Sequence, residues 1–261
     1  MLLEHKTAVI YGAGGAVGSA VARAFASEGA TVHLAGRHSA SLLAVRDAIA
    51  KEGGRAEVGE VDVREEASVQ QHFAGVLASA GHVDISFNCA YFPYDQGDPV
   101  IEMTVDAFTF AITDVMRAQF FTTRAAGVHM SERGSGVILA ITATPARNPI
   151  PLVGNFGVAC AAIEALCRQL AVELGPRGVR VVCLRSAGSP DAPGVARSFE
   201  HLGAQLGIST KEFEATIAAR TALKRLPLLA EVANAAVIMA SDRASAITGA
   251  VANVTSGEVM D

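Results

Sequence analysis

The sequence predicts an α/β protein with a doubly wound, seven-stranded parallel sheet and helices on both faces. Three observations carry that prediction. Apolar strand-like runs alternate with helical patterns along nearly all 261 residues, as strands joined through crossover helices require. The first such run passes directly into a glycine-rich turn and a helix. No internal repeat, low-complexity tract or linker interrupts the alternation, so residues 1–261 read as one domain.

The elements follow in order. TAVIY (7–11) is the first strand, with a helix over 16–28 behind it; TVHLA (31–35) is followed by a helix over 39–52. AEVGEVDV (56–63) and VDISFN (83–88) are the third and fourth strands, followed by helices over 65–80 and 104–130. GVILAI (136–141) leads to a helix over 155–174. In it Phe156, Cys160, Ile163, Cys167, Leu170 and Leu174 form an apolar stripe at alternating steps of four and three. VRVVCL (179–184), a helix over 229–241 and AVANV (250–254) complete the set. Right-handed crossovers leave this order little topological freedom. The segment 186–225 is rich in Gly, Pro and Ser at its start and weakly helical afterwards, and its length suits a substrate-binding lid.

Composition narrows the function classes. About half the chain is apolar at 51 %, yet no apolar run reaches the roughly 18 residues of a membrane span. MLLEHKTAVIYG lacks the ordered segments of a signal peptide and enters a strand almost at once. The net charge of −5, with no Lys- or Arg-rich run, argues against nucleic acid or anionic membrane as a partner. Cys89, Cys160, Cys167 and Cys183 show neither metal-ligand nor disulfide spacing. The expectation is a cytoplasmic protein with free thiols, no metal and a small-molecule substrate.

The turn after the first strand, YGAGGAVGSAVARAF, has Gly12, Gly15 and Gly18 at the spacing of a dinucleotide site. Gly12 permits the tight turn, Gly14, Gly15 and Val17 bring backbone toward a pyrophosphate, and Gly18 lets the helix pack on the strand. The helix start adds unpaired N–H groups and a positive dipole end. A purely structural glycine turn is the alternative. The second strand ends in LAGRHS, where a carboxylate would hold the ribose hydroxyls of NAD on a Rossmann template. Arg37 stands there instead and suits a 2′-phosphate, which favours NADP(H) over NAD(H); a solvated surface arginine is the alternative.

With these residues in view, the chain resembles the short-chain dehydrogenase/reductases from end to end. Its glycine turn is similar to that family's T-G-x-x-x-G-x-G, with Tyr11 for Thr and Ala16 for the middle Gly. Asp62-Val63 matches the pair beside adenine, and Asn88-Cys89-Ala90-Tyr91 stands where N-N-A-G is usual. AIEALCRQLAVELGPRGVRVVCL matches the fifth helix and sixth strand. Ala187-Gly188 replaces Pro-Gly of the nicotinamide loop, and ITGAVANVTSGE resembles the terminal I-T-G-x-x-x-x-V-D-G-G. The resemblance adds Asp62, Val63, Asn88, Ala90, Phe156, Cys160 and Gly188 to the cofactor contacts, and implies a homodimer or homotetramer built on the fourth and fifth helices and last strand.

In that family a tyrosine gives the proton, a lysine four residues on lowers the tyrosine's pKa and holds the nicotinamide ribose, a serine holds the carbonyl oxygen, and an asparagine steadies a water relay. Here Phe156, Cys160, Ala143 and Val115 occupy those positions. The only tyrosines are Tyr11, Tyr91 and Tyr94, and no lysine lies between Lys51 and Lys211. Thr142 and Thr144 flank Ala143, and either hydroxyl is a candidate oxyanion partner or simply the end of a strand. Tyr94, like Tyr91, is a surrogate acid or pocket wall. Arg147 and Asn148 suit an anionic substrate or a surface loop, and Asp114 a capping role. Cys160 is a nucleophile or a small buried residue, and Phe156 an apolar ceiling over the nicotinamide.

Three functions fit. The leading one is an NADP(H) oxidoreductase moving hydride to or from a small hydrophobic carbonyl, alkene or imine, with non-standard catalytic residues. The others are a non-redox dehydratase, isomerase or cyclase on the same fold, and a catalytically silent nucleotide-binding protein.

Overall fold

The computed structural model of the chain describes residues 1–90, 92 and 97–260, without the side chain of Ala111. Its centre is a seven-stranded sheet in the order β3-β2-β1-β4-β5-β6-β7, with every pair parallel. The strands are β1 (Thr7–Tyr11), β2 (Thr31–Gly36), β3 (Arg55–Glu60), β4 (Ile85–Asn88), β5 (Gly136–Ala143), β6 (Val179–Ser186) and β7 (Val251–Val254). The helices are α1 (Ala16–Ser27), α2 (Ser39–Lys51), α3 (Glu66–Ala80), α4 (Val105–Arg133), α5 (Phe156–Leu174), α6 (Pro193–Gln205), α7 (Thr210–Arg220) and α8 (Leu229–Ala240). This is the expected doubly wound Rossmann architecture.

Strand alternation divides the core in two. Ala8 and Ile10 of β1 point to the face covered by α1, α2 and α8, where Phe25, Leu42 and Val237 are buried. Val9 and Tyr11 point to the opposite face, where Phe73 of α3, Met130 of α4 and Cys167 of α5 are buried. Chain direction across the sheet reverses between β1 and β4, which pair with each other. Their carboxyl ends therefore open into a crevice that no crossover fills, the usual place for a ligand in such sheets.

The expected boundaries need small corrections with physical causes. β3 ends at Glu60 rather than 63, because its neighbour β2 ends at Gly36, the residue opposite Glu60. Val61 to Val63 then turn off the sheet toward the crevice. β5 and β6 run two residues further than their apolar cores, paired to Ala143 and Ser186. α4 continues to Arg133 and stops at Gly134, whose φ of 75° is a left-handed cap. The weakly patterned 186–225 segment contains α6 and α7, and Ser209 with Glu212 forms a capping box that starts α7. Among the described residues no helix is long and apolar enough to cross a membrane.

Candidate functional site

The crevice deepens into a cavity of about 1180 Å³ that begins at the β1–α1 turn. Gly12 has φ +80° there, and a Cβ on it would lie 2.7 Å from both Cα and N of Ala90. A Cβ on Gly18 would lie 2.3 Å from the carbonyl oxygen of Gly12. Backbone thus approaches backbone at both places, and only glycine fits without a shift. Gly15 caps α1 and no side chain satisfies the helix's first N–H groups. Gly14, Gly15, Val17 and Gly18 all line the cavity, so this end offers unpaired donors and the positive helix end to an anion. A dinucleotide's pyrophosphate fits that cradle.

At the rim beyond the cradle lie Arg37, Asp62 and Val63, as expected from the sequence. Arg64, which sequence reasoning missed, joins them. Its Nε and Nη2 donate to the two oxygens of Asp62 at 3.0 and 2.6 Å, and its backbone N–H adds a third bond at 3.0 Å. The Arg64 hydrogen bond, with smaller contributions from the charges of Arg64 and Arg37, holds Asp62 below the usual carboxylate range. Arg37 is solvent-exposed, and two guanidinium groups therefore flank one ionised carboxylate. The adjacency of Arg64 to Asp62 where β3 leaves the sheet was the available signal.

Asn88, expected to touch cofactor, is buried, and its Nδ2 donates to Thr122 Oγ1 at 2.9 Å and Ala118 O at 3.2 Å in α4. Its Oδ1 accepts from the N–H of Ala90 at 3.1 Å, and Ala90 does line the cavity. Asn88 thus ties β4 to α4 and aims the next two residues.

At the other end, Ala143 closes β5 while Phe156 and Cys160 begin α5 one turn apart, and all three face the cavity. Asn155 fixes that helix start by donating to Ala107 O at 2.8 Å. Gly188, with φ +87°, and Ala187 complete this end from the β6 side. Phe199 and Leu202 of α6 with Phe213 and Ile217 of α7 make the far wall, and the Phe199 and Phe213 rings meet edge to face at 5.4 Å. Val115, at the position of the relay asparagine, is core, whereas Asp114 reaches the cavity.

The candidate catalytic groups separate clearly. Cys160 is 2 % exposed, and burial pushes its thiol up to about 12 although a backbone hydrogen bond at Ala143 pulls the other way. A thiolate nucleophile is not sustained there. Thr142 borders the cavity, but its hydroxyl donates to Glu164 Oε1 at 3.1 Å. Glu164 in turn holds Arg185 through two bonds of 2.8 Å, with side chains 6 % and 3 % exposed, and Arg185 Nη1 reaches Asn253 Oδ1 at 3.1 Å. Thr142 is therefore tied by its hydroxyl into a buried ionic network. Thr144 also borders the cavity and is 2 % exposed. Tyr91 and Tyr94 lie outside the described residues. Arg147 is exposed and away from the cavity, and Asn148 Nδ2 donates to Glu258 O at 3.0 Å. Glu164 and Arg185 were missed from sequence; a charge set inside apolar AIEALC and VVCLRS was the clue. Among the described residues no cluster of His, Cys, Asp and Glu could hold a metal.

Comparison with known proteins agrees with this geometry. The family described as Enoyl-(Acyl carrier protein) reductase matches residues 12–258. The chain is 31 % identical to the uncharacterized oxidoreductase YxbG of Bacillus subtilis (strain 168), over 95 % of this chain and 88 % of that one. It is 28 % identical to the 7alpha-hydroxysteroid dehydrogenase of Escherichia coli (strain K12), over 99 % of this chain and 96 % of that one. The crystal structure of gox2181 superposes with a TM-score of 0.87 at 26 % identity, covering 98 % of this chain and 96 % of the other. From the glycine turn to Glu258, the chain belongs to the short-chain dehydrogenase/reductase family of oxidoreductases.

Proposed function

We propose that the protein is an NADP(H)-dependent oxidoreductase that moves hydride to or from a small, largely apolar carbonyl, alkene or imine compound. One observation carries this reading: the glycine cradle with its Arg37 rim and the apolar chamber around Phe156 are two ends of a single cavity. Gly12, Gly14, Gly15, Val17 and Gly18 would hold the pyrophosphate, Arg37 with Arg64 the 2′-phosphate, Asp62 and Val63 the adenine side, and Ala90 and Gly188 the nicotinamide half. The cofactor, when bound, supplies hydride. Phe156 and Cys160 give its reactive face a dry, uncharged wall, which strengthens every polar contact made inside.

Ala143, Phe156 and Cys160 offer no side-chain acid near neutral pH, so the proton for a developing alkoxide or enolate must come from another residue or from solvent. Thr144 is the hydroxyl at this end that is not committed to the Glu164–Arg185 network. The matched family's description names an enoyl reductase, and the similar E. coli protein acts on a hydroxysteroid; both descriptions agree with apolar substrates. α6 and α7 would act as the lid over such a molecule. Exposed Phe120 and Val128 on α4 and Val158 and Val172 on α5 fit a homodimer or homotetramer through those helices, which sedimentation would measure.

Calorimetric titration with NADPH and with NADH tests the reading first. Micromolar NADPH binding preferred over NADH is expected, followed by NADPH consumption with a member of a ketone, enone and imine panel. No binding of either nucleotide would overturn it and favour a non-redox or silent protein.

A further inference from the structure

Resting on the oxidoreductase reading, the make-up of the reacting end narrows the substrate class. We propose that the hydride acceptor is an aromatic quinone, held between the Phe199–Phe213 wall and Phe156 and released as a hydroquinone anion that takes its proton from water.

The wall is aromatic out of proportion to the chain. Aromatic residues make up only 5 % of the sequence, and there is no tryptophan. Yet Phe92, Phe110, Phe156, Phe199 and Phe213, five of the eleven phenylalanines, border the cavity. They come from five separate segments: the stretch after β4, then α4, α5, α6 and α7. No single helix stripe or strand alternation produces that convergence. Phe199 and Phe213 meet edge to face at 5.4 Å, and Phe213 is 5 % exposed, so the pair is a packed wall. Aromatic rings favour offset or edge-to-face neighbours with centroids about 4.5–7 Å apart. A flat ring entering beneath α6 and α7 gains such contacts, whereas a saturated molecule gains only burial. The cavity of about 1180 Å³ also exceeds the roughly 300–1,000 Å³ usual for one ligand, which suits two occupants.

The chemistry of the same end selects among aromatic compounds. Ala143 and Phe156 have no proton to give, and burial pushes the Cys160 thiol up to about 12. Thr142 Oγ1 donates its hydrogen to Glu164 Oε1 at 3.1 Å. Thr144 can hydrogen-bond an oxygen, but an aliphatic hydroxyl does not surrender its proton near neutral pH. Reduction of an ordinary ketone there would leave an alkoxide without an acid. A quinone makes no such demand. It takes a hydride, two electrons with one proton, from the reduced nicotinamide, which is left oxidised. The quinone ring becomes aromatic, and its second oxygen carries the charge as a phenolate. A phenol ionises near about 10, far below an aliphatic alcohol, so the anion persists until it leaves. Water then completes the balance: quinone, NADPH and one proton give hydroquinone and NADP+. Enones and imines gain no aromatic ring on reduction.

The test uses the full chain and begins with binding, without turnover. Calorimetry on the NADP+-loaded protein compares tetralone, a bicyclic ketone with one aromatic ring, with decalone, its saturated counterpart. Tetralone should bind roughly tenfold more tightly, and Phe213→Leu should remove most of that difference. Equal binding of the two ketones by the wild type would defeat the aromatic assignment. The second arm supplies NADPH under anaerobic conditions. One acceptor is a naphthoquinone methylated at both free quinone carbons, which blocks addition of thiols. The other is trifluoroacetophenone, a strongly activated aromatic ketone whose product is an alkoxide. The quinone should be favoured in kcat/KM by roughly 100-fold or more, the size of a missing general acid. Comparable turnover of the ketone would reveal a proton donor and overturn the proposal. NADPH binding with no reduction of the quinone would overturn the quinone assignment alone. Failure to bind either NADPH or NADP+ would overturn the oxidoreductase reading and the quinone assignment with it.

Discussion

The two ends of the cavity are built from different materials. The phosphate end is backbone: Gly12 against Ala90, Gly18 against Gly12, and the uncapped start of α1. The reacting end is side chain: Phe156 and Cys160 are uncharged, and Thr142 is held by Glu164 and Arg185. A backbone site is lost only when a Cβ intrudes, whereas a side-chain site changes with any substitution. Family resemblance is therefore strongest in the first and weakest in the second. Two sets of buried polar groups also differ. Tyr11 Oη, His33 Nε2 and His72 Nδ1, on the β1–β2 side, are buried without hydrogen-bond partners, while Glu164 and Arg185 pair with each other and bridge α5, β6 and β7.

Breaking the paired network should have the largest effect. Arg185→Met leaves the Glu164 carboxylate buried and uncompensated, and a loss of about 3–5 kcal/mol in unfolding free energy is expected by chemical denaturation. A double change, Arg185→Met with Glu164→Leu, should recover much of it; no recovery would mean that packing rather than charge holds these elements. The unpaired side is tested by pH. Burial, with the neighbouring His33, lowers His72 to about 4 from its usual 6.5. The folded state disfavours the proton, so this contribution is whole above pH 6.5 and is lost as pH falls toward 4. It amounts to at most about 3 kcal/mol. His72→Phe should flatten the stability profile in that window relative to wild type, and an identical slope would show His72 to be solvated.

Two smaller effects sharpen the backbone argument. Gly18→Ala would put a methyl group 2.3 Å from Gly12 O, so NADPH affinity should fall roughly 100-fold, about 2.8 kcal/mol, in calorimetry with the fold retained by circular dichroism. Arg37→Asp should weaken NADPH roughly tenfold and improve NADH, since it exchanges a phosphate partner for a ribose partner. Unchanged NADPH affinity would transfer the phosphate contact to Arg64.

The sheet was legible because strands buried on both faces must be continuous apolar runs, and VRVVCL or GVILAI has no other use for that composition. Gly12 and Gly18 were legible for the same kind of reason, since a turn geometry demands them. The bonds of Asn88 to α4 were not legible: their partner lies thirty residues away in sequence, and no local pattern encodes that pairing. The Thr142–Glu164 bond was not legible either, because it joins residues on a strand and a helix twenty-two positions apart. α6 and α7 were blurred because short helices joined by turns carry little period.

The dry wall at Phe156 has an optical consequence. The chain contains no tryptophan and only three tyrosines, so its own near-ultraviolet emission is weak and does not reach the nicotinamide band. A reduced nicotinamide resting against phenylalanine and a buried thiol would leave water, whose collisions quench it, and its blue fluorescence should brighten without an indole background. The protein would then report its own cofactor occupancy, and a substrate entering beneath α6 and α7 would register as a change in colour or lifetime before any bond is made.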